Sequence, residues 1–235
     1  MDQYDNDSLP DVKILPGPAV QFDDPIEYLQ PQTKQIEIHN VGSVRRPSLS
    51  PASRLTPRTQ VIAQWAFVLK PGTTTLCEPW LLVSPTSGLI LPGEKSLVNL
   101  TISVDNRTAP LLNFSPDPPS DLLVLSIEKK DLFLAVAARE YRPTCFGNEL
   151  SRLIKLGKPI RSATAEEREA IAKAEREGGE KGSVPREVWR MLNFLAEYGL
   201  EFEDVFLVPG EQRLVRSVRE CLDTVRRSSR VVEED

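Results

Sequence analysis

Residues 121–138 read "DLLVLSIEKKDLFLAVAA", and this stretch decides the fold. Its two apolar runs, 121–127 and 131–138, have the length and the boundaries of short β-strands. The charged letters between the runs, EKKD, are typical of a turn. The stretch therefore predicts two consecutive strands joined by a turn.

The sequence before residue 121 repeats the same pattern. In "QIEIHNV" (35–41), Ile36 and Ile38 alternate with Glu37 and His39, which is the period of a half-buried strand. Further apolar runs are "AQWAFVL" (63–69), "PWLLVSP" (79–85) and "SLVNLTISV" (96–104). Turn-like text separates the runs, namely KPGTTT, LPGEK and SPDPPSD. Short strands with frequent turns predict a mainly β region, an immunoglobulin-like β-sandwich over residues 8–146, after a disordered N-terminus at 1–7.

One segment interrupts this pattern. The letters "RRPSLSPASRLTPRT" (45–59) are rich in Ser, Pro and Arg and have little apolar content to offset the entropy of ordering. We therefore expect a mobile insertion loop at 45–61. Ser48 follows an arginine pair and is a candidate phosphosite for a basophilic kinase; the alternative is an unmodified, solvated loop.

After residue 147 the pattern becomes helical, which predicts a C-terminal helical segment. Residues 148–156 have the apolar spacing of a helix. Residues 164–182 begin with a capping box formed by Thr164 and Glu167. Together they make a helical linker over 147–183. Two amphipathic stretches follow at 184–199 and 211–227. The tryptophans Trp65, Trp80 and Trp189 all lie in apolar runs, so we expect them in the core.

Composition limits the possible functions. The formal charge is −5 and the isoelectric point is near 5.2, which disfavours a general nucleic-acid or anionic-membrane binder. No apolar run is long enough to cross a bilayer, and no signal peptide is recognisable, so we expect a cytoplasmic protein. Three widely spaced cysteines fit reduced, packing thiols.

We find no pattern that predicts a catalytic site, a metal site or a cofactor. The single histidine, His39, lies on the polar face of a predicted strand, so no nucleophile–histidine pair can be argued. Phosphate-binding glycine motifs and clustered metal ligands are also missing from the sequence. The basic text "KLGKPIR" (155–161) could contact phosphate headgroups or be a solvated helix end.

Several segments, taken in order, resemble one family. These are IEIHNVG, CEPWLLVSPTSGLILPGE (77–94), REYRPTCFG (139–147) and the stretch from 184 to 212. Their order is similar to the C-terminal half of the type II inositol polyphosphate 5-phosphatases, the Lowe-syndrome phosphatase family. There, an ASH domain, which is an immunoglobulin-like sandwich of the ASH/MSP type, precedes an inactive RhoGAP-like domain. The resemblance implies that 184–235 is a truncated RhoGAP-like region and that the chain is a fragment or a companion subunit.

The resemblance also bears on "EDVFLVPGEQ" (203–212). Active RhoGAP domains carry an arginine here that neutralises charge in the transition state for phosphoryl transfer. This chain has Leu207, which offers no cation. Motifs of the upstream phosphatase domain are missing too, so the resemblance implies that the chain is not an enzyme. The enzyme-class alternative is a RhoGAP-like regulator of Rho-type GTPases.

The family resemblance further implies partners. It assigns the ASH domain to Rab GTPases in membrane trafficking and phosphoinositide signalling, and the RhoGAP-like domain to Rho-type GTPases and endocytic adaptor peptides. Such partners would place the protein peripherally on endosomal or Golgi membranes. We expect the Rab contact on the last ASH strand, "DLFLAV", with Phe133 as the candidate apolar contact; the alternative is that Phe133 packs in the sandwich.

Overall fold

A computed structural model describes residues 11–41, 62–128, 130–174, 184–203 and 205–224. The chain divides into two compact units. The sandwich unit comprises Met1–Ile26, Pro31–Ser103 and Pro119–Glu140. The helical unit comprises Glu27–Gln30, Val104–Pro118 and Tyr141–Asp235.

The first sheet of the sandwich unit has four antiparallel strands in the order β1-β3-β7-β5. They are β1 (Val12–Leu15), β3 (Gln32–Asn40), β7 (Lys95–Ile102) and β5 (Leu81–Ser84). Ile36 and Ile38 turn inward and are buried, whereas Glu37 and His39 point to the other face. The alternation predicted for "QIEIHNV" is therefore confirmed.

The second sheet has five strands in the order β2-β9-β8-β4-β6. They are β2 (Ala19–Phe22), β9 (Lys130–Ala138), β8 (Ser120–Ile127), β4 (Ala63–Val68) and β6 (Ser87–Ile90). Strands β8 and β9 are antiparallel neighbours, with Val124 opposite Phe133, which confirms the two strands predicted within 121–138. Strand β2 runs parallel to β9, so this sheet is mixed.

The core of the sandwich unit consists of the inward side chains of these strands. Trp65 and Trp80 are buried in it, as predicted. Strand β6 contributes Gly88 directly opposite Trp65, and the Trp65 indole covers the position where a Cβ on Gly88 would lie. The two sheets and their buried alternate residues define an immunoglobulin-like β-sandwich, and helices follow it in the chain, so the predicted fold class is confirmed.

The helical unit contains α1 (Ala109–Asn113), α2 (Leu150–Leu156), α3 (Ala165–Ala174), α4 (Arg186–Phe194) and α5 (Gln212–Asp223). A single π-helical turn, Leu195–Gly199, follows α4. The predicted capping box begins α3: the Glu167 carboxylate accepts the Thr164 N–H at 2.8 Å, and the Thr164 hydroxyl accepts the Glu167 N–H at 3.3 Å. None of the described helices is both long and apolar enough to span a bilayer.

Two small apolar clusters stabilise the helical unit. One joins Phe114, Leu156, Ile160 and Ala163, and the other joins Cys145, Leu153 and Leu222. Trp189 belongs to neither cluster and its side chain is 56% exposed, so the prediction of a core position was wrong. The apolar spacing around Trp189 indicates a stripe on a helix, but the stripe faces solvent here.

Candidate interaction surface

Phe133 lies in β9 with its side chain on the outer face of the second sheet. It is 59% exposed, while its neighbours Leu134 and Val136 are fully buried. Side chains alternate across a strand, so Phe133 points away from the core that Leu134 and Val136 fill. Phe133 is therefore accessible to a partner, and the alternative that it packs inside the sandwich does not describe its position.

The neighbours of Phe133 on this face are also apolar. Val124 on β8 lies directly opposite it, and Val68 on β4 lies opposite Val124. Two positions further along β9, on the same face, Ala135 lies opposite Leu122, which is exposed. We call the surface formed by Val68, Leu122, Val124, Phe133 and Ala135 the outer apolar face; Val124 is itself buried, so the other four residues supply its accessible area. Directly opposite and diagonal side chains on a sheet touch one another, so these residues form one continuous patch.

The backbone beside Phe133 has an open edge. Strand β2 pairs only with Ala135–Ala138, so the described strands leave residues 130–134 unpaired on that side. The Ala135 N–H donates to the Pro18 carbonyl at 2.8 Å, which shows that odd-numbered residues of β9 direct their backbone groups toward this edge. The N–H and C=O groups of Asp131 and Phe133 therefore point to the same open edge.

The outer face of the first sheet is different in character. Lys95 donates to the Glu37 carboxylate at 2.8 Å, and the His39 ring lies 2.7 Å from the other Glu37 oxygen. The hydrogen bond from Lys95, and then that from His39, holds the pKa of Glu37 below its usual value. Gln35 pairs with Asn99 on the same face. This surface satisfies its own polar groups, which makes it the weaker candidate for an apolar partner.

A second exposed apolar surface lies in the helical unit. Trp189, Leu192 and Phe194 of α4 are exposed, and the Phe194 ring lies 5.2 Å from the Tyr198 ring. The loop that follows carries Leu207, which is 78% exposed. Its aliphatic side chain occupies the position that the family resemblance assigns to an arginine.

The basic residues of segment 155–161 do not form a cation cluster in the described structure. Lys158 forms an ion pair with Glu167 at 2.7 Å, and Arg161 pairs with Glu220 and Asp223. Two of the three cations are therefore neutralised within the helical unit, which favours the solvated helix end over headgroup contact. Sequence reasoning missed these partners, because Arg161 and Asp223 are 62 positions apart.

Two further predictions concern sites of chemistry. Ser48 lies outside the described residues, so its role as a phosphosite stays a prediction. Within the described part of the chain, no group of three or more His, Cys, Asp or Glu side chains is arranged to hold a metal ion.

Comparison with known proteins relates this geometry to a family. Residues 52–140 match the family model of the ASH domain of OCRL-like inositol polyphosphate 5-phosphatases. The type II inositol 1,4,5-trisphosphate 5-phosphatase of Mus musculus is 29% identical over 239 residues, which covers 95% of this chain. The same alignment covers 21% of the mouse protein, so the chain spans about a fifth of the length of this relative.

Two solved structures are also similar. The ASH/PapD-like domain 7 of human CEP192 is 12% identical, with a TM-score of 0.36 over 60% of this chain and 92% of that domain. WR4, an MSP family member of Caenorhabditis elegans, is 9% identical, with a TM-score of 0.32 over 54% of this chain and 96% of that protein. The fold assignment itself rests on the two sheets and their register.

The sandwich that carries the outer apolar face and the open strand edge contains most of the described part of this match. Residues 52–140 of this chain are thus similar to the ASH domain of OCRL-like inositol polyphosphate 5-phosphatases, and most of the chain is similar to part of the mouse type II phosphatase.

Proposed function

We propose that this chain is a non-catalytic module of its family that binds small GTPases of the Rab type through the outer apolar face. The observation that carries the proposal is Phe133, an exposed aromatic side chain at the centre of an apolar patch and beside an open strand edge. Such a partner would direct the protein to endosomal or Golgi membranes, in membrane trafficking and phosphoinositide signalling.

Two physical contributions support binding at this place. An open strand edge lets a partner add hydrogen bonds to the Asp131 and Phe133 backbone, which gives the contact a fixed direction. Burying the exposed part of an aromatic side chain at the centre of an interface often supplies much of its binding free energy. The outer face of the first sheet presents paired polar groups, and no aromatic side chain is exposed on its described strands.

The test compares two substitutions that place a charge on opposite outer faces. Phe133→Asp changes the outer apolar face, and Leu82→Asp changes an equally exposed leucine on β5 of the first sheet. We expect wild type and Leu82→Asp to be retained by immobilised, GTP-loaded Rab proteins more than by GDP-loaded ones. Phe133→Asp should weaken binding by more than about tenfold.

Equal retention by both nucleotide states across a Rab panel would show that the chain does not recognise activated Rab. Equal weakening by Phe133→Asp and Leu82→Asp would place the contact elsewhere.

The same proposal holds that the chain does not accelerate GTP hydrolysis. Leu207 cannot supply the positive charge that an arginine finger brings to the transition state, a contribution of about 10³–10⁵ in rate. Single-turnover hydrolysis by Rho-type GTPases should therefore be the same with and without the protein. An acceleration of about tenfold or more would contradict this reading of Leu207 and favour the RhoGAP-like alternative.

A second candidate function, the binding of endocytic adaptor peptides, is favoured by the exposed side chains of α4. Trp189 and Leu192, three residues apart on one face of α4, are exposed and offer an apolar surface onto which an amphipathic helical peptide could dock. Trp65 and Trp80 are buried, so solvent-sensitive tryptophan emission reports mainly on Trp189. Binding should shift this emission to shorter wavelength and protect it from iodide quenching.

The control for peptide binding is Leu150→Ala, which removes an exposed leucine of α2 instead. Leu192→Ala should weaken binding by about tenfold while Leu150→Ala leaves it unchanged. A peptide that binds both variants equally does not use α4.

A further inference from the structure

The helical unit contains a cavity of about 590 Å³ that the functions proposed above do not use. Its wall is formed by the segment Glu27–Gln30, by Thr144 and Arg161, and by one face of α5. This volume lies within the range of sites that bind small organic molecules. The cavity is therefore large enough for a ligand rather than for a few water molecules only.

Helix α5 turns polar side chains toward the cavity. Gln212, Arg216, Arg219 and Asp223 line the wall and recur at the spacing of one helical face. Leu214 and Val218, on the other side of the same helix, are exposed. An amphipathic helix usually buries its apolar face. Here the face of α5 that lines the cavity is mainly polar and charged.

One end of the cavity is already neutralised. The Arg161 guanidinium donates to the carboxylates of Glu220 and Asp223, and its Nε–H donates to the Pro143 carbonyl at 2.9 Å. Asp223 also accepts the Cys145 N–H at 2.7 Å. These groups satisfy one another, so they leave little affinity for a further charge.

The other end carries cations without carboxylate partners. Among the described residues, no carboxylate forms an ion pair with Arg216 or Arg219. The Arg219 guanidinium lies over the Tyr28 ring, 5.4 Å from its centroid, and over the Phe146 ring, 5.7 Å from its centroid. Both arginines lie on the same face of α5, three residues apart.

We propose that this cavity binds a small organic oxyanion, a carboxylate or a phosphate ester, with its charged group on Arg216 and Arg219. The apolar part of the ligand contacts Tyr28 and Leu29, which line the same cavity. A guanidinium group can donate hydrogen bonds to the oxygens of either anion. The two ligands therefore share an anionic oxygen group, planar or tetrahedral, that is attached to a small apolar group.

Three probes of similar size test this inference on the full chain: phenyl phosphate, benzoate and the uncharged benzyl alcohol. Binding is measured by titration calorimetry and by chemical-shift changes of arginine side chains. We expect saturable binding of at least one anion and none of benzyl alcohol. The anion that binds with the higher affinity then identifies phosphate or carboxylate as the preferred group.

Matched variants of α5 assign the site. Arg216→Gln should weaken the binding of the preferred anion about tenfold, because it removes a charge-assisted hydrogen bond. Arg213→Gln removes an exposed arginine of the same helix that does not line the cavity, and it should leave binding unchanged. Both side chains are exposed, so neither change should unfold the protein.

The proposal is wrong if neither anion binds saturably at millimolar concentration, or if benzyl alcohol binds as well as the anions. It is equally wrong if Arg213→Gln weakens binding as much as Arg216→Gln, because the effect would then reflect the charge of the helix and not the cavity. Failure of Rab binding has no bearing on these outcomes, since Phe133 is not part of the cavity.

Discussion

Asp223, the last residue of α5, is an acid whose side chain is only 2% exposed. Burial raises the pKa of Asp223 above its ordinary value of 3.8, although the Cys145 N–H and the Arg161 guanidinium act in the opposite direction. The carboxylate ties α5 to the segment that carries Cys145, within the helical unit. Its burial therefore makes the stability of this unit depend on pH.

The sign of that dependence follows from the raised pKa. The folded state holds the Asp223 proton more tightly than the unfolded state, so the free energy of unfolding falls as pH rises from about 3.8 through the folded pKa. Above that pKa the contribution is constant. Asp223→Asn removes this titration, so the stability of wild type relative to the variant should decrease as pH rises across the window.

Urea denaturation of both proteins at a series of pH values measures the difference. Other carboxylates titrate in both proteins alike and cancel in the comparison. A difference that stays constant across the window, or that grows with pH, would contradict the raised pKa of Asp223.

Lys70 and Asp121 form a pair in the sandwich unit that is more buried than a typical surface ion pair. The Asp121 side chain is 3% exposed, and it accepts hydrogen bonds from Lys70 at 2.5 Å and from the Glu78 N–H at 2.8 Å. Lys70→Met should destabilise the protein by about 2 kcal/mol, because it leaves a buried carboxylate with fewer partners.

Lys34→Met is the matched control for Lys70→Met. Lys34 pairs with Asp23 at 2.7 Å, but both side chains are exposed, so its loss should cost less than about 1 kcal/mol. Chemical denaturation at neutral pH compares the two variants. If Lys70→Met and Lys34→Met lower the stability by the same amount, burial of Asp121 does not increase the contribution of its ion pair with Lys70.

At the scale of elements, the pairing of β4 with β6 depends on a glycine. A Cβ added to Gly88 would lie 3.0 Å from three atoms of the Trp65 indole, closer than side chains normally approach. The ring is buried and has little room to move. Gly88→Ala should therefore destabilise the protein by about 1–3 kcal/mol, as overpacking does in other cores.

Ser87→Ala, one position earlier on β6 and exposed, should change the stability by less than about 0.5 kcal/mol. Guanidinium denaturation followed by Trp fluorescence measures both variants. Equal midpoints would mean that Trp65 shifts at little cost and that Gly88 is not required by packing.

The longer strands could be predicted from sequence, and of the four-residue strands only β5, which lies within 79–85, could be. Runs such as 121–127 and 131–138 contain enough residues to show apolar content between turns, whereas β1, β2 and β6 have four residues each. Their strand character comes from partners far along the chain: β2 pairs with β9, more than a hundred residues later. Such pairing leaves no local pattern to recognise.

The candidate site shows the same limit. In "DLFLAV" both faces of the strand are apolar, so alternation alone cannot decide whether Phe133 or Leu134 turns inward. Only the register with β8 settles that Phe133 is outside. In α4, periodicity places Trp189 close to an apolar stripe, but periodicity does not reveal whether another element covers that stripe.

At the scale of the whole molecule, exposed apolar side chains are concentrated in the helical unit. The loop after α4 carries Leu200, Phe202, Phe206, Leu207 and Val208, all exposed, and Phe206 is 84% exposed. Large exposed apolar side chains in this number are uncommon on isolated domains and favour association. The exposed leucines of the first sheet, by contrast, lie among paired polar groups.

The exposed apolar loop after α4 should promote self-association of the protein. Replacing Phe206 and Leu207 together by Ser should reduce concentration-dependent self-association and the binding of an apolar dye, because it removes the most exposed part of the apolar loop. Leu82→Ser with Leu97→Ser, the matched pair on the outer face of the first sheet, should leave both properties near wild type. Sedimentation velocity over a concentration series and dye titration measure the effect. If the sheet variant reduces association as much as the loop variant does, association reflects total apolar exposure, and the loop is not its specific site.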